Sequence, residues 1–168
     1  VQDLLLLTQL ESNPVPPEMD EINMNDVIRN ACNEVQGLLA ESDKISIVND
    51  CDKPIKGIAT ELNSLCTNLI SNAVRYSPDG ADIEISWASL SDSTARLSVK
   101  DSGIGIAKEH IDRITERFYR VDMKDSRARG GTGLGLAIVK HVLRRHNSEL
   151  EVKSRVNEGS LFYCDFEL

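Results

Sequence analysis

The sequence predicts an α+β fold, a two-layer α/β sandwich in which a mixed, mostly antiparallel sheet of about five strands carries three main helices on one face. Three observations point there. Apolar residues recur at helical spacing over residues 25–41, 60–76 and 134–146. They alternate with polar ones over 83–87 and 95–99, as half-buried strands require. The proportions of the two patterns suit a sheet with helices segregated to one face, and 168 residues suit one domain with a short appendage.

Residues 1–12 form a helix with apolar residues on more than one face, around Leu4-Leu5-Leu6-Leu7. Two readings are open: its partner lies outside this sequence or is a second copy, or it is an ordinary amphipathic helix packed on the domain. Asn13-Pro14-Val15-Pro16-Pro17 ends any helix, because proline lacks the amide donor and disfavours helical geometry in the residue before it. Residues 13–21 are therefore read as a linker and 22–168 as the domain.

The first domain helix, 25–41, turns Val27, Ile28, Ala31, Val35, Leu38 and Leu39 inward, with Asn25 as its cap. Residues 45–48 and 54–58 are short apolar runs bounded by Asn, Asp, Lys and Gly, hence strands. The helix 60–76 takes Thr60 as cap and Leu62, Leu65, Leu69, Ile70 and Ala73 as its buried stripe. Ser77-Pro78-Asp79-Gly80 is a turn, and 83–87 with 95–99 form a hairpin. A glycine turn after Asp101, a helix over 109–117, a polar segment 122–131, the helix 134–146 and strands 149–154 and 160–168 complete the chain.

Composition excludes several functions. A net charge of -8 and a pI near 4.9 repel nucleic acid and anionic membrane surfaces, so any phosphate bound here is gripped locally. The four cysteines have no C-x-x-C pair and no zinc spacing, and Cys66 falls on a buried helix face, so reduced thiols in a cytosolic setting are expected. No run reaches the roughly 18 apolar residues of a membrane span, and no signal segment is recognisable. A start without Met inside a leucine run leads us to expect a piece of a longer protein.

Three separated elements suggest one ligand class. Asn68, Asn72 and Arg75 lie on one helical face at i, i+4 and i+7; amide oxygens ligate Mg²⁺ or its waters and arginine meets phosphate. Two asparagines inside an otherwise apolar helix need a reason, since asparagine is a mediocre helix former. Asp101-Ser102-Gly103-Ile104-Gly105-Ile106 follows a strand; its glycines let the backbone approach a flat ligand, and a buried carboxylate suits an exocyclic amine such as that of adenine. Gly130-Gly131-Thr132-Gly133-Leu134-Gly135-Leu136 runs into a helix, whose free amides and dipole make a phosphate cradle. Neither a P-loop nor a Rossmann fingerprint fits this spacing. Between the second and third elements, residues 122–129 read as a lid whose Arg or Lys touches phosphates.

Together these residues resemble the histidine-kinase branch of the ATPase superfamily shared with type II topoisomerases, mismatch-repair proteins and a major chaperone. Asn68 to Tyr76 resembles the N box, Asp101 to Ile106 the G1 box, Glu116-Arg117-Phe118-Tyr119-Arg120 the F box, and Gly131 to Leu136 the G2 box. Glu158-Gly159-Ser160-Leu161-Phe162 matches the turn before the last strand. The strings around Phe118 and after Gly135 look most like phosphate-regulon sensor kinases. The resemblance implies a Bergerat-type ATP-binding fold with ATP and Mg²⁺ as cofactors. Asn72 would be the principal metal ligand with Asn68 assisting, and Asn72 and Arg120 the catalytic pair. Arg75 and Tyr76 would contact phosphates and nucleotide, Asp101 the adenine amine, and Arg120 the terminal phosphate. Gly103, Gly105, Ile106 and Tyr119 would complete the nucleotide site, with Gly131, Thr132, Gly133, Leu134, Gly135 and Leu136 over the triphosphate. Arg75 stands where many members have Lys.

Asn68 stands where hydrolytic members of the superfamily carry a glutamate that activates water. An amide is no general base, so transfer of phosphate and not simple hydrolysis is expected. The resemblance implies a histidine acceptor on a two-helix dimerisation hairpin. His110, His141 and His146 lack the acceptor context and read as surface or helix-end residues, so the acceptor is expected upstream of Val1, with residues 1–12 as the end of the hairpin's second helix. Partners would be that hairpin and the receiver domain of a response regulator, in a homodimeric protein anchored in the bacterial inner membrane with this domain in the cytoplasm. No nucleic-acid partner and no membrane contact of this domain are expected. Two other classes remain open: a nucleotide-responsive regulatory binding module without phosphotransfer, and a hydrolytic ATPase with another base.

Overall fold

The computed structural model describes residues 2–12, 18–121 and 132–168. Its elements run α1 (Gln2–Ser12), β1 (Asp20–Ile22), α2 (Met24–Val35), β2 (Lys44–Asn49), β3 (Ile55–Gly57), α3 (Ala59–Arg75), β4 (Asp82–Ser89), β5 (Thr94–Asp101), α4 (Lys108–Ile111), α5 (Gly135–Arg145), β6 (Glu151–Arg155) and β7 (Gly159–Glu167). Five strands form one sheet in the order β2-β4-β5-β7-β6; β2 pairs with β4 in parallel and the other three pairings are antiparallel. The expected mixed sheet is thus borne out. β1 and β3 form a separate antiparallel ribbon, so the strand at 54–58 lies outside the main sheet.

Alternation puts one face of the sheet in the core. Ile83, Ile85 and Trp87 of β4, Leu97 and Val99 of β5, and Phe162, Cys164 and Phe166 of β7 are all buried. Above them lie Leu65, Leu69 and Ile70 of α3 and Ile138, Val139 and Val142 of α5, while α2 packs along α3. Truncating one of these large buried side chains to Ala would cost about 2–5 kcal/mol. The opposite face is polar: Arg96 makes a two-pronged bond to Asp165, its cross-strand partner, at 2.7 and 3.0 Å, and lies over the Tyr163 ring.

Several local expectations are corrected. The cap of α2 is Asn23, whose side chain accepts from the Asn25 amide, and not Asn25. α2 stops at Val35, where a single 3-10 turn over Gln36–Leu38 replaces the expected continuation to 41. α3 begins at Ala59 without a side-chain cap, so Thr60 is its second residue and caps nothing. The helix expected over 109–117 is the four-residue α4 followed by turns, because Arg113 and Glu116 bond three residues back and Phe118 adopts φ 60°. β1 begins at Asp20, inside the stretch read as linker; three residues are too few for an alternation to show. His146 ends α5 but is buried, its Nε2 accepting from the Ile58 amide and its Nδ1 donating to the Val142 carbonyl, so it is a structural histidine and not a surface one.

All four cysteines are free and buried. Burial pushes the Cys66 thiol up to about 12, with Cys32 adding to the effect, and holds Cys164 well above the ordinary thiol value. α1 packs Leu7 and Leu10 against the domain, in contact with α5, and turns Leu4 and Leu5 outward, the latter 59 % exposed. Its Glu11 pairs with Arg117 and lies 3.3 Å from His141. Among the described residues no helix is long and apolar enough to cross a membrane.

Candidate functional site

A cavity of about 240 Å³ opens where the C-terminal half of α3, the turn after β5, the segment after α4 and the start of α5 meet. The helical spacing of α3 delivers Asn68, Asn72 and Arg75 to one wall together with Ser71 and Tyr76. The Asn68 amide donates to the Ser64 carbonyl at 2.8 Å, which commits its nitrogen and leaves Oδ1 available. That oxygen reaches toward α5: a Cβ at Gly135 would lie 2.9 Å from it. Glycine at 135 leaves room for the Asn68 amide in its present position, and a larger residue there would push that side chain aside.

Asp101 closes β5 at the inner end of the cavity and is 4 % exposed. Its Oδ1 accepts from the Gly103 amide at 2.9 Å. Burial raises its carboxyl above the ordinary value, against the pull of the Gly103 and Ser160 amides. A buried carboxylate whose Oδ1 is held by one turn amide keeps acceptor capacity for an N–H donor from a ligand. The turn is tied to α3 because the Ile104 amide donates to the Tyr76 carbonyl at 2.9 Å. Ile104, Ile106, Ile114, Leu136 and Phe162 make apolar wall beside the carboxylate, which suits a flat heterocycle.

At the other end Thr132, Gly133 and Gly135 lie on the wall as α5 begins. Gly133 has φ 77°, and its carbonyl accepts from the Phe118 amide at 2.9 Å. This bond joins the segment of Tyr119, Arg120 and Val121 to the start of α5. The Thr132 hydroxyl lies 3.3 Å from the Leu134 amide as acceptor and donates to Asp3 of α1 at 3.2 Å.

Of the residues expected from sequence, the cavity brings together Asn68, Asn72, Arg75, Tyr76, Asp101, Gly105, Ile106, Tyr119, Arg120, Thr132, Gly133, Gly135 and Leu136. Gly103 stands behind the wall, bonding Asp101, and Leu134 turns into the core at the cap of α5. Gly130, Gly131 and the lid expected over 122–129 lie outside the described residues. Sequence reasoning missed Asp3, Ser71, Ile104, Ile114, Val121, Ser160 and Phe162. The signal for Ser71 was its place on the asparagine face, and for Ile104 its place inside the turn; Asp3 has no local signal.

Residues 57–168, more than half of the chain, match the family described as "Histidine kinase-, DNA gyrase B-, and HSP90-like ATPase". The chain belongs to this ATPase family. Over 167 residues this ATPase domain is 43 % identical to the phosphate regulon sensor protein PhoR of Pseudomonas aeruginosa, covering 99 % of this chain and 38 % of that protein. It is 38 % identical over 164 residues to the sensor-like histidine kinase SenX3 of Mycolicibacterium smegmatis, covering 96 % of this chain and 42 % of the relative. The chain therefore spans about two fifths of the length of these curated relatives. Full-length ShkA, solved in complex with AMPPNP, shares the fold with a TM-score of 0.84 at 22 % identity, over 98 % of this chain and 34 % of that one. The ATPase fold expected from the N, G1, F and G2 boxes is thus the fold found, with four separate stretches of chain meeting at one cavity.

Proposed function

We propose that this domain binds Mg-ATP in the cavity and passes the γ-phosphate to a histidine on a dimerisation hairpin of a longer, homodimeric sensor kinase, for relay to the receiver domain of a response regulator. One observation carries the reading: a buried carboxylate, an amide-bearing helix face and a helix N-terminus converge on one cavity from distant parts of the sequence. The kinship with PhoR and SenX3 supports the acceptor and the relay, and the inner-membrane anchor of the longer protein belongs to the same reading.

Asp101 accepts the exocyclic amine of adenine, which the surrounding isoleucines hold edge-on to it. Arg75, Arg120, the Thr132 hydroxyl and the amides opening α5 meet the phosphates, where helix dipole and guanidinium charge favour anions despite the net charge of -8. Asn72, with the Oδ1 of Asn68, would hold Mg²⁺. Two neutral amide oxygens make a sparse donor set, which fits a cation that keeps its waters and takes its remaining ligands from the substrate's phosphates. When bound, that ion neutralises charge on the β- and γ-phosphates. The chain's own residues then align the terminal phosphate and exclude water, and phosphoryl transfer asks for little else.

Among the described wall residues the carboxylates are Asp101 and Asp3, the first facing adenine and the second bonded to Thr132. Neither is placed as a general base, so the isolated chain should release little phosphate. Calorimetric titration of a non-hydrolysable ATP analogue with Mg²⁺ into the native chain and Asp101→Asn tests the site. Saturable binding weakened at least about 100-fold by the substitution is expected; binding indifferent to Asp101 would sink the assignment. Addition of an acceptor hairpin and radiolabelled ATP tests transfer, and binding without labelling would leave a regulatory binding module instead.

A further inference from the structure

We infer that His110 is a positioning residue for the nucleotide site: it holds the Tyr119 phenol and, through it, the Tyr119–Arg120 wall of the cavity. The inference rests on the reading of that cavity as the ATP site.

After α4 no regular element supports the chain up to Arg120, yet Ile114, Tyr119 and Arg120 all form cavity wall. Tethers replace the missing helix. The Phe118 amide is bonded to the Gly133 carbonyl, and φ 60° at this phenylalanine is a conformation L-residues adopt only when their surroundings hold them there. The Arg113 guanidinium covers the Tyr119 ring, 4.5 Å from its centroid. The Tyr119 hydroxyl meets Nδ1 of His110, whose ring lies 5.9 Å from the tyrosine ring, centroid to centroid.

Nε2 of His110 lies 3.5 Å from a Glu109 carboxylate oxygen. That neighbour favours the ring proton on Nε2, which leaves Nδ1 to accept the Tyr119 O–H. The His110 carbonyl meanwhile accepts from the Arg113 and Ile114 amides at 2.9 and 3.1 Å. One residue therefore ties the turn through its backbone and the phenol through its side chain. Substitution removes the second tie and leaves the first, so the two roles are separable.

The test is titration of a non-hydrolysable ATP analogue with Mg²⁺ into the full chain and its variants, each checked for a native thermal transition. His110→Ala and His110→Gln should weaken binding roughly three- to tenfold, the loss of one hydrogen bond. His110→Asn, whose Oδ1 falls near the position of Nδ1, should stay within about twofold of wild type. Tyr119→Phe should weaken binding as His110→Ala does, and His110→Ala should add nothing in the Tyr119→Phe background. Wild-type affinity in His110→Ala, additive losses in the double variant, or equal losses in Asn and Gln would overturn the inference. If His110→Ala does not fold, Tyr119→Phe alone, which removes a single hydroxyl, decides: unchanged affinity overturns it. Failure of the native chain to bind would overturn the cavity reading instead, and the inference with it.

Discussion

At the start of α3, Glu61 is gripped by Arg145 of α5 through two bonds of 2.7 and 3.1 Å, with side chains only 10 and 8 % exposed, and the Asn63 amide donates to Glu34 of α2. Two turns further along the same helix, Asn68, Asn72 and Arg75 point into a cavity. In the first group the Glu61–Arg145 pair and the Asn63–Glu34 bond are made within the protein and knit three helices together. The second group presents amide and guanidinium groups to a space the size of a small ligand. Polar residues on one helix thus divide by what lies across from them: a buried ion-pair partner for the first group, and for the second a cavity walled by glycine, threonine and a buried carboxylate, which the proposed function fills with nucleotide.

The sharpest way to break that contrast is to exchange the expected consequences. Glu61→Ala leaves Arg145 buried without its carboxylate and should cost about 3–5 kcal/mol, a fall of roughly 10 °C in the thermal midpoint, while the folded fraction keeps its affinity for nucleotide. Calorimetric melting with and without ATP analogue checks both halves. Asn72→Ala should do the reverse. Alanine is the better helix former by about 0.5 kcal/mol, so the midpoint should hold or rise slightly. The gain in analogue affinity that Mg²⁺ confers should meanwhile collapse, as titrations with and without the metal would reveal.

A subtler test concerns Asp101. Its folded-state carboxyl sits above the unfolded value of 3.8. The stability it contributes is therefore present at pH below that value and is lost as pH rises through the folded pKa. Asparagine carries no such dependence. The midpoint of Asp101→Asn minus that of wild type should accordingly move in favour of the variant between pH 4 and 7, and a flat difference would show that the carboxylate has no ionisation cost. The smallest effect is expected at Asp3, whose negative charge stands at the proposed phosphate end beside Thr132. Asp3→Asn should tighten analogue binding by less than about fivefold, the scale of one partly solvated charge, and high salt should shrink the gain.

Legibility in the sequence followed the range of the interactions involved. The stripes of α3 and α5 and the alternation of β4 and β5 were plain, because period 3.6 and period 2 are local consequences of backbone geometry. Asn68, Asn72, Arg75 and Asp101 were legible for the same reason, each standing out against an apolar or turn context. Boundaries were less so: Asn23 and not Asn25 caps α2, and the polar residues after α4 scan as helix although they fold as turns. The burial of His146 rests on the Ile58 amide, 88 residues away in sequence, and nothing near it announces that contact.

By itself the sequence determined which surfaces must be buried and which short motifs bring amides, carboxylate and glycines, since these depend on residue type and on neighbours within a turn or two. Tertiary structure alone decided that Asp101 and the opening of α5 share one cavity, that Asp3 of α1 reaches its rim, and that His110 meets the Tyr119 phenol. Those outcomes depend on how helices seat on the sheet, where side chains distant in sequence come within hydrogen-bond reach only after the apolar faces have packed.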